Sequence, residues 1–461
     1  MVARMSRLDA EQAPPPAPAP APEPSESRVG VARATYLAFR ADVATAISSA
    51  VVSVVVSRGL GPENRGIFFL AFSAAIVIGL VGDLGMSSAG IVYGANREID
   101  ARQLHGVALQ FGIVVGLVGA GLLIGLQGFW RDTILKGLDS TMFVLLAAAV
   151  GPLLYAQVML AVLTGRGRIP AISVMRIGQQ VAIPALLAPA AVITHSPRWT
   201  LAGWLTATLG FALAIAVYGT RTVGRPVPPS RATVATMARF GSRSYVGSLC
   251  QHGFLRIDLF TLAARRGPAT VGLYSLASVF AERIYLLGQA VYSASAERFG
   301  RDDPRESARV LAQIVRLLLV LMVPVAAVLA ALGFPLIPLV FGSDFARAAV
   351  PFALLLPGTV ALTIWLTVSL YILSSLRRPA TTTALQAGAL AVSVPLYLAL
   401  IGAAGMNGAA VASSIVYTGL LAAGLTVVLR SSELRAAELI PRPGDLSRLV
   451  QAGRSALRRA A

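Results

Sequence analysis

The chain has 461 residues, of which 56% are hydrophobic and only 13% are charged. A typical soluble domain carries roughly a quarter charged residues, so this composition excludes a soluble protein of this size. The formal net charge of +18 is also typical of nucleic-acid binding. Here, however, the arginines lie in short segments between apolar runs, a distribution that indicates membrane topology. We therefore expect no nucleic-acid partner.

The first segment, residues 1–34, is dominated by proline and alanine and is predicted to be a disordered cytoplasmic tail. Apolar runs of about 20 residues, long enough to cross ~30 Å of hydrocarbon as helices, then recur along the chain. Twelve spans are predicted, at residues 38–58, 66–94, 106–128, 141–163, 171–193, 200–219, 241–264, 270–296, 309–334, 346–374, 381–402 and 406–429.

Arginine asymmetry predicts the orientation of these spans. The loops around residues 97–102, 166–168, 221–243, 298–309 and 377–378 are rich in arginine, so they are predicted to be cytoplasmic. An even number of spans then places both termini in the cytoplasm. Four arginines are exceptions on the predicted outer side, namely Arg58, Arg65, Arg265 and Arg266.

Similar segments recur at a fixed distance. Gly61-Pro62, with Gly66 four residues after the proline, is repeated as Gly267-Pro268 and Gly272, 206 positions later. A repeat of six helices keeps its orientation, so the halves are expected to be parallel and to enclose a central cavity. The predicted fold is all-α, with an N-terminal six-helix lobe (35–219), a linker (220–240), a C-terminal six-helix lobe (241–430) and a basic cytoplasmic tail (431–461). Within the third span, Gly121 and Gly125 form a GxxxG pattern typical of helix packing.

Several short motifs point to a family. They are Arg58-Gly59-Leu60-Gly61-Pro62, Asp83-Leu84-Gly85-Met86, Arg256-Ile257-Asp258 and Val271-Gly272-Leu273-Tyr274. With them, residues 35–430 resemble the oligosaccharide flippases of the polysaccharide-transport (Wzx-like) branch of the MOP exporter superfamily. The resemblance implies a MATE/MOP-like transporter of undecaprenyl-diphosphate-linked sugars in a bacterial inner membrane, with no cofactor.

Ionisable groups at membrane depth are costly, so they indicate pairing or a hydrated cavity. In the seventh span Arg256 is a candidate contact for a lipid diphosphate, because guanidinium groups bind phosphate bidentately. Asp258 lies beside it, and His252 shares its helix face. In the eighth span, Glu282 is a candidate partner of Arg256 or a proton carrier, and Arg283 is a candidate second ligand. A structural Arg–carboxylate pair explains Arg256 and Glu282 equally well.

Four further polar residues are candidates for the cavity wall. Asp42 lies on a polar stripe of the first span, and Asp83 lies among glycines in the second, where a packing role is as consistent as titration. Arg176 and Gln180 make the fifth span unusually polar. They are therefore predicted to face the cavity.

The sequence favours a transporter over an enzyme. It offers no nucleotide-binding P-loop, no paired-cysteine metal site and no long outer loop with acidic residues, so we expect no catalytic residues, cofactor or metal. The leading hypothesis is a flippase whose partners are a lipid-linked glycan, membrane lipids, and a polysaccharide polymerase or glycosyltransferases. Two alternatives remain at this stage: a multidrug or metabolite antiporter of the same superfamily, and an integral-membrane glycan polymerase.

Overall fold

The computed structural model describes residues 24–284, 299, 304–442 and 444–445, with side chains from residue 48 onward except at 49, 243, 244, 304 and 305. All regular secondary structure among these residues is helical. The helices are α1 Pro24–Asp83, α2 Met86–Asn96, α3 Ala101–Gly125, α4 Gln127–Thr133, α5 Ser140–Gly165, α6 Ile169–Thr194, α7 Pro197–Thr222, α8 Arg231–Arg266, α9 Pro268–Ala281, α10 Pro304–Phe341, α11 Ala349–Ser374 and α12 Pro379–Ser431. Short 3₁₀ helices cover Ser343–Ala348 and Ala436–Glu438.

Each predicted span overlaps one or more of these helices, but the boundaries differ. The described part of α1 starts at Pro24, inside the segment expected to be disordered. Eight of the described helical segments are long and apolar enough to cross a membrane. α8 is not among them because its charged residues lower its hydropathy. α12 counts once although it contains two predicted spans.

Breaks at glycines separate the spans that run together in α1 and α12. Gly61 interrupts α1 with φ 69° and ψ 175°, and Gly405 interrupts α12 with φ 58° and ψ −131°. Gly267, which separates α8 from α9, has φ 82° and ψ 177°. This region of backbone space is almost confined to glycine. Gly61 and Gly267 are the repeat-related pair, so the repeat is visible in the backbone itself.

A second break divides the predicted second span into α1 and α2. Leu84 and Gly85 both have positive φ, at 47° and 77°. The Asp83 carboxylate accepts hydrogen bonds from the amide and hydroxyl of Ser87 just beyond the break, and therefore stabilises the start of α2.

Repeat-related contacts also attach the end of one span to a distant loop in each half. In the first half, Nδ1 of His195 lies 2.6 Å from the carbonyl oxygen of Gly59. In the second half, the Arg266 guanidinium donates to the carbonyl oxygen of Ile401 at 3.0 Å. Ile401 follows His195 by 206 positions, the same offset as the glycine motifs. Gly59 and Arg266, the other partners in these contacts, are 207 positions apart, so the two halves use nearly equivalent positions for the two contacts.

Candidate functional site

Arg256 of α8 and Glu282, which follows α9, form a two-pronged ion pair. Nη1 of Arg256 lies 2.9 Å from Oε1 of Glu282, and Nη2 lies 3.3 Å from Oε2. The two side chains are 25% and 37% exposed. The pairing satisfies both charges at membrane depth, and it matches the sequence-based expectation that Glu282 neutralises Arg256.

An apolar groove adjoins this ion pair. It has a volume of about 580 Å³ and is lined by α8 together with α1, α3, α4 and α5. His252 and Arg256 are its ionisable lining residues. Nδ1 of His252 lies 2.9 Å from the carbonyl oxygen of Ser248. Most of the groove wall is aliphatic, so it suits hydrocarbon better than a charged head group.

Arg283 lines a second cavity, of about 260 Å³, together with Gln180. We call it the arginine–aromatic cavity. Its wall also contains four large aromatic side chains, Phe68, Phe69, Phe72 and Trp204. Arg283 forms no ion pair with any carboxylate among the described residues. This cavity therefore combines a guanidinium that forms no ion pair with a described carboxylate, an amide and several aromatic faces.

Arg256 and Arg283 thus lie on two different cavities, whereas the sequence predicted a shared chamber. Glu282 and Arg283 are consecutive at the end of a helix, where neighbouring side chains point about 100° apart. Glu282 turns toward α8, and Arg283 turns toward α1 and α6. The helix geometry therefore separates the two guanidinium groups.

Arg65, which the sequence analysis noted only as an exception in charge topology, also lines the arginine–aromatic cavity. Its side chain is buried and donates to the carbonyl oxygen of Gly272 at 3.2 Å and to the hydroxyl of Ser57 at 2.9 Å. Its guanidinium carbon lies 5.9 Å from the Phe69 ring centroid. An arginine on the arginine-poor side of the membrane was the available signal for this residue.

Asp258 lies away from both cavities, inside the second half. Its Oδ2 accepts a hydrogen bond from the Tyr274 hydroxyl at 2.7 Å, and its Oδ1 accepts from the amide of Leu259 at 2.7 Å. Ser413 lies within 3.2 Å of the Tyr274 hydroxyl and 2.9 Å of the Tyr397 hydroxyl. This buried network joins α8, α9 and α12, a position that suits the stabilisation of the helix bundle.

The remaining predicted site residues are dispersed. The Asp83 carboxylate accepts a hydrogen bond from the amide of Ser87 at the start of α2, and Arg176 is exposed on α6. The side chain of Asp42 lies outside the described residues. Within the described part of the chain, no group of three or more His, Cys, Asp or Glu side chains is placed to hold a metal ion.

The fold defines the class of protein. The chain is similar to a lipid II flippase, MurJ, in an inward closed conformation, with a TM-score of 0.72 and 14% identity over 87% of this chain and 89% of that one. It is also similar to an inward-facing multidrug resistance MATE family transporter of the MOP superfamily, with a TM-score of 0.64 and 16% identity over 84% and 94% of the two chains. The chain therefore has the two-lobed fold of MOP-superfamily transporters, as the sequence predicted.

The sequence itself identifies the family. Residues 55–350 match the family of polysaccharide biosynthesis proteins, and the chain belongs to that family. A MOP-superfamily transporter from Pyrococcus furiosus, described as having a binding pocket of reverse polarity, is also similar, with a TM-score of 0.57 and 16% identity over 87% and 95% of the two chains. No curated protein matches the sequence. The protein is thus a multi-pass membrane protein of a polysaccharide biosynthesis family, with the fold of MOP-superfamily transporters.

Proposed function

We propose that this protein flips a lipid-linked oligosaccharide, carried on a polyprenyl diphosphate such as undecaprenyl diphosphate, between the leaflets of a bacterial cytoplasmic membrane. Transport runs from the cytoplasmic to the outer leaflet by alternating access of two lobes, residues 35–219 and 241–430. Both termini face the cytoplasm. The lipid-linked glycan is the substrate, and a polymerase or glycosyltransferases act beside the transporter.

The arginine–aromatic cavity carries this proposal. Arg283 lies on its wall without an ion pair to the described carboxylates, and guanidinium groups recognise phosphate through paired hydrogen bonds. Ligand pockets generally combine aromatic walls with a few well-placed polar groups, and Phe72, Trp204 and Gln180 supply both here. Sugar rings present apolar faces that pack on aromatic rings. The cavity therefore suits a sugar attached to a diphosphate.

The volume of the cavity fits a closed state of the transporter. At about 260 Å³, it lies just below the ~300–1,000 Å³ of typical ligand pockets. It would hold part of a head group, while the aliphatic wall of the apolar groove would face the lipid chain. Separation of the halves would enlarge the cavity to admit the whole head group.

The positive charge of the arginine–aromatic cavity argues against the main alternative, a multidrug antiporter. The similarity to multidrug MATE transporters favours an antiporter that exports drugs, many of which are cationic. Arg256 and Glu282 neutralise each other, and the charged residues that line the arginine–aromatic cavity among the described side chains are Arg283 and Arg65. A positive cavity at membrane depth repels a cationic drug and attracts an anionic head group.

Purified protein reconstituted in liposomes with a polyprenyl-diphosphate sugar, labelled on the sugar, tests the proposal. We expect Arg283→Ala to slow flipping about tenfold or more, because a hydrogen bond to a charged group contributes ~1.5–3 kcal/mol. Arg347→Ala is the matched control, since Arg347 is exposed in the short 3₁₀ helix Ser343–Ala348. Flipping at the wild-type rate by Arg283→Ala, or transport of cationic dyes in its place, would contradict the proposal.

A further inference from the structure

The two halves touch through equivalent backbone positions at the end of the bundle that carries the Gly61 and Gly267 breaks. A Cβ atom on Gly66 would overlap the carbonyl oxygen of Pro268, and a Cβ on Gly272 would overlap the carbonyl oxygen of Pro62. Pro62 and Pro268, like Gly66 and Gly272, are 206 positions apart. The contact is therefore reciprocal, as in an interface across a twofold axis.

Two cationic side chains bridge the halves beside this contact. The Arg58 guanidinium of α1 donates to the carbonyl oxygens of Val340 and Leu339, at 2.8 and 2.9 Å. The Lys136 ammonium, from the loop before α5, donates to the carbonyl oxygen of Ala264 in α8 at 2.6 Å. We call these two contacts the clasps.

The clasps are also related by the repeat, with donor and acceptor exchanged. Ala264 follows Arg58 by 206 positions, and Val340 follows Lys136 by 204. In each clasp, one half contributes the end of its first span. The other half contributes the segment between its own third and fourth spans. The buried Arg65 adds a third bridge, to the carbonyl oxygen of Gly272. Three cations thus close one end of the interface.

The opposite end of the interface lacks such cations among the described contacts. There Gly85 and Gly241 approach through their backbones, and the Tyr245 hydroxyl donates to the carbonyl oxygen of Val81 at 2.6 Å. Among the described contacts, the two ends are thus closed by different chemistry. The cationic end is the one predicted to face outward, where Arg58 and Arg65 are exceptions to the arginine asymmetry.

We infer that the Arg58 and Lys136 clasps form a gate that holds the predicted outer end of the transporter closed and must open in each cycle. In each clasp, one side chain donates hydrogen bonds to main-chain carbonyl oxygens, and Arg58 is exposed. They can therefore exchange for water when the halves separate. Side chains at these positions need to be hydrogen-bond donors, since their acceptors are carbonyl oxygens. The gate concerns opening and closing, so it is independent of the identity of the substrate.

Accessibility of a single reporter cysteine tests the gate without any substrate. Val279 lines the arginine–aromatic cavity together with the bridging Arg65, and Cys250 is the single native cysteine. In a Cys250→Ala, Val279→Cys background, we expect Arg58→Ala and Lys136→Ala each to raise labelling by a membrane-impermeant maleimide at least ~5-fold. The increase is expected only when the reagent is applied at the outer face. Arg58→Lys should remain near the background rate.

Arg198→Ala is the matched control. Arg198 lies at the same end and pairs with Asp139 at 2.6 Å, but both residues belong to the first half, so we expect no change in labelling. The gate would be refuted if the clasp variants, folded by size-exclusion chromatography, label no faster than Arg198→Ala, or label faster only from the opposite face. Either result would leave the flipping assay with Arg283→Ala unaffected, so failure of the gate and failure of the flippase proposal are distinguishable.

Discussion

Arg256 and Glu282 show what a charged pair at membrane depth can contribute. Removing one partner leaves the other unpaired, and for fully buried pairs this costs ~3–5 kcal/mol. Both side chains are partly exposed, so solvent screening reduces the cost. We expect Arg256→Ala and Glu282→Ala each to destabilise the protein by about 1–2 kcal/mol, and the double variant to lose less than the sum.

A double-mutant cycle on thermal unfolding in detergent measures this coupling. Additive losses would show that the pair contributes no coupling in the folded protein. Transport by the double variant adds a second readout. Wild-type flipping would assign the pair to the stability of the bundle, whereas lost flipping would place Arg256 at the substrate.

Asp258 was a candidate site residue because a carboxylate in an apolar span is unusual. The sequence could not reveal that Tyr274 and Ser413, which come from other helices, would supply its surroundings. The polar residues at membrane depth singled out from the sequence include Arg283 and Gln180, and the structure brings them to one cavity. Their aromatic neighbours, Phe72 and Trp204, were missed because aromatic residues are common in apolar spans.

At the scale of helices, twelve spans followed from hydropathy because a bilayer demands long apolar runs. The breaks were harder to place. Leu84 adopts positive φ although it is not glycine, and the close approach of Gly85 to Gly241 depends on a helix far away in the sequence. Long-range packing of this kind has no local signal.

The glycines of α3 illustrate the same limit. The sequence predicted packing through Gly121 and Gly125, but a Cβ at either position would meet nothing within 4 Å. The packing instead uses Gly112 and Gly116. A Cβ at Gly116 would lie 2.5 Å from the Cα atom of Gly151 in α5. The sequence expectation was therefore wrong about which glycines form the close contact.

We expect Gly116→Val to destabilise the protein by about 1–3 kcal/mol, because overpacking forces the two backbones apart. Gly121→Val, in the same helix, should remain within about 1 kcal/mol of wild type, because a Cβ at Gly121 would meet open space. Valine is also a better helix former than glycine. Thermal unfolding of the two variants side by side measures the difference. Equal losses would contradict the packing of α3 against α5.

At the scale of the whole molecule, the repeat explains more than the sequence motifs suggested. The motif offset of 206 reappears between the breaks at Gly61 and Gly267, between His195 and Ile401, and in the reciprocal Pro62 and Pro268 contact. Because the two equivalent halves meet through matching surfaces, they can separate about their common axis. Such a movement breaks and re-forms equivalent contacts and requires no contact that belongs to one half alone. The family match and the fold similarity to MurJ and MATE transporters agree with such a design.

The central claim is that guanidinium groups in the arginine–aromatic cavity recognise the charge of the lipid head group. The most direct measurement compares flipping of two polyprenyl lipids that carry the same labelled sugar, one through a diphosphate and one through an uncharged linkage. We predict that the wild-type protein flips the diphosphate lipid about tenfold faster or more, and that Arg283→Ala removes most of this preference. Equal rates for the two lipids in the wild type, or an unchanged preference in Arg283→Ala, would contradict the account.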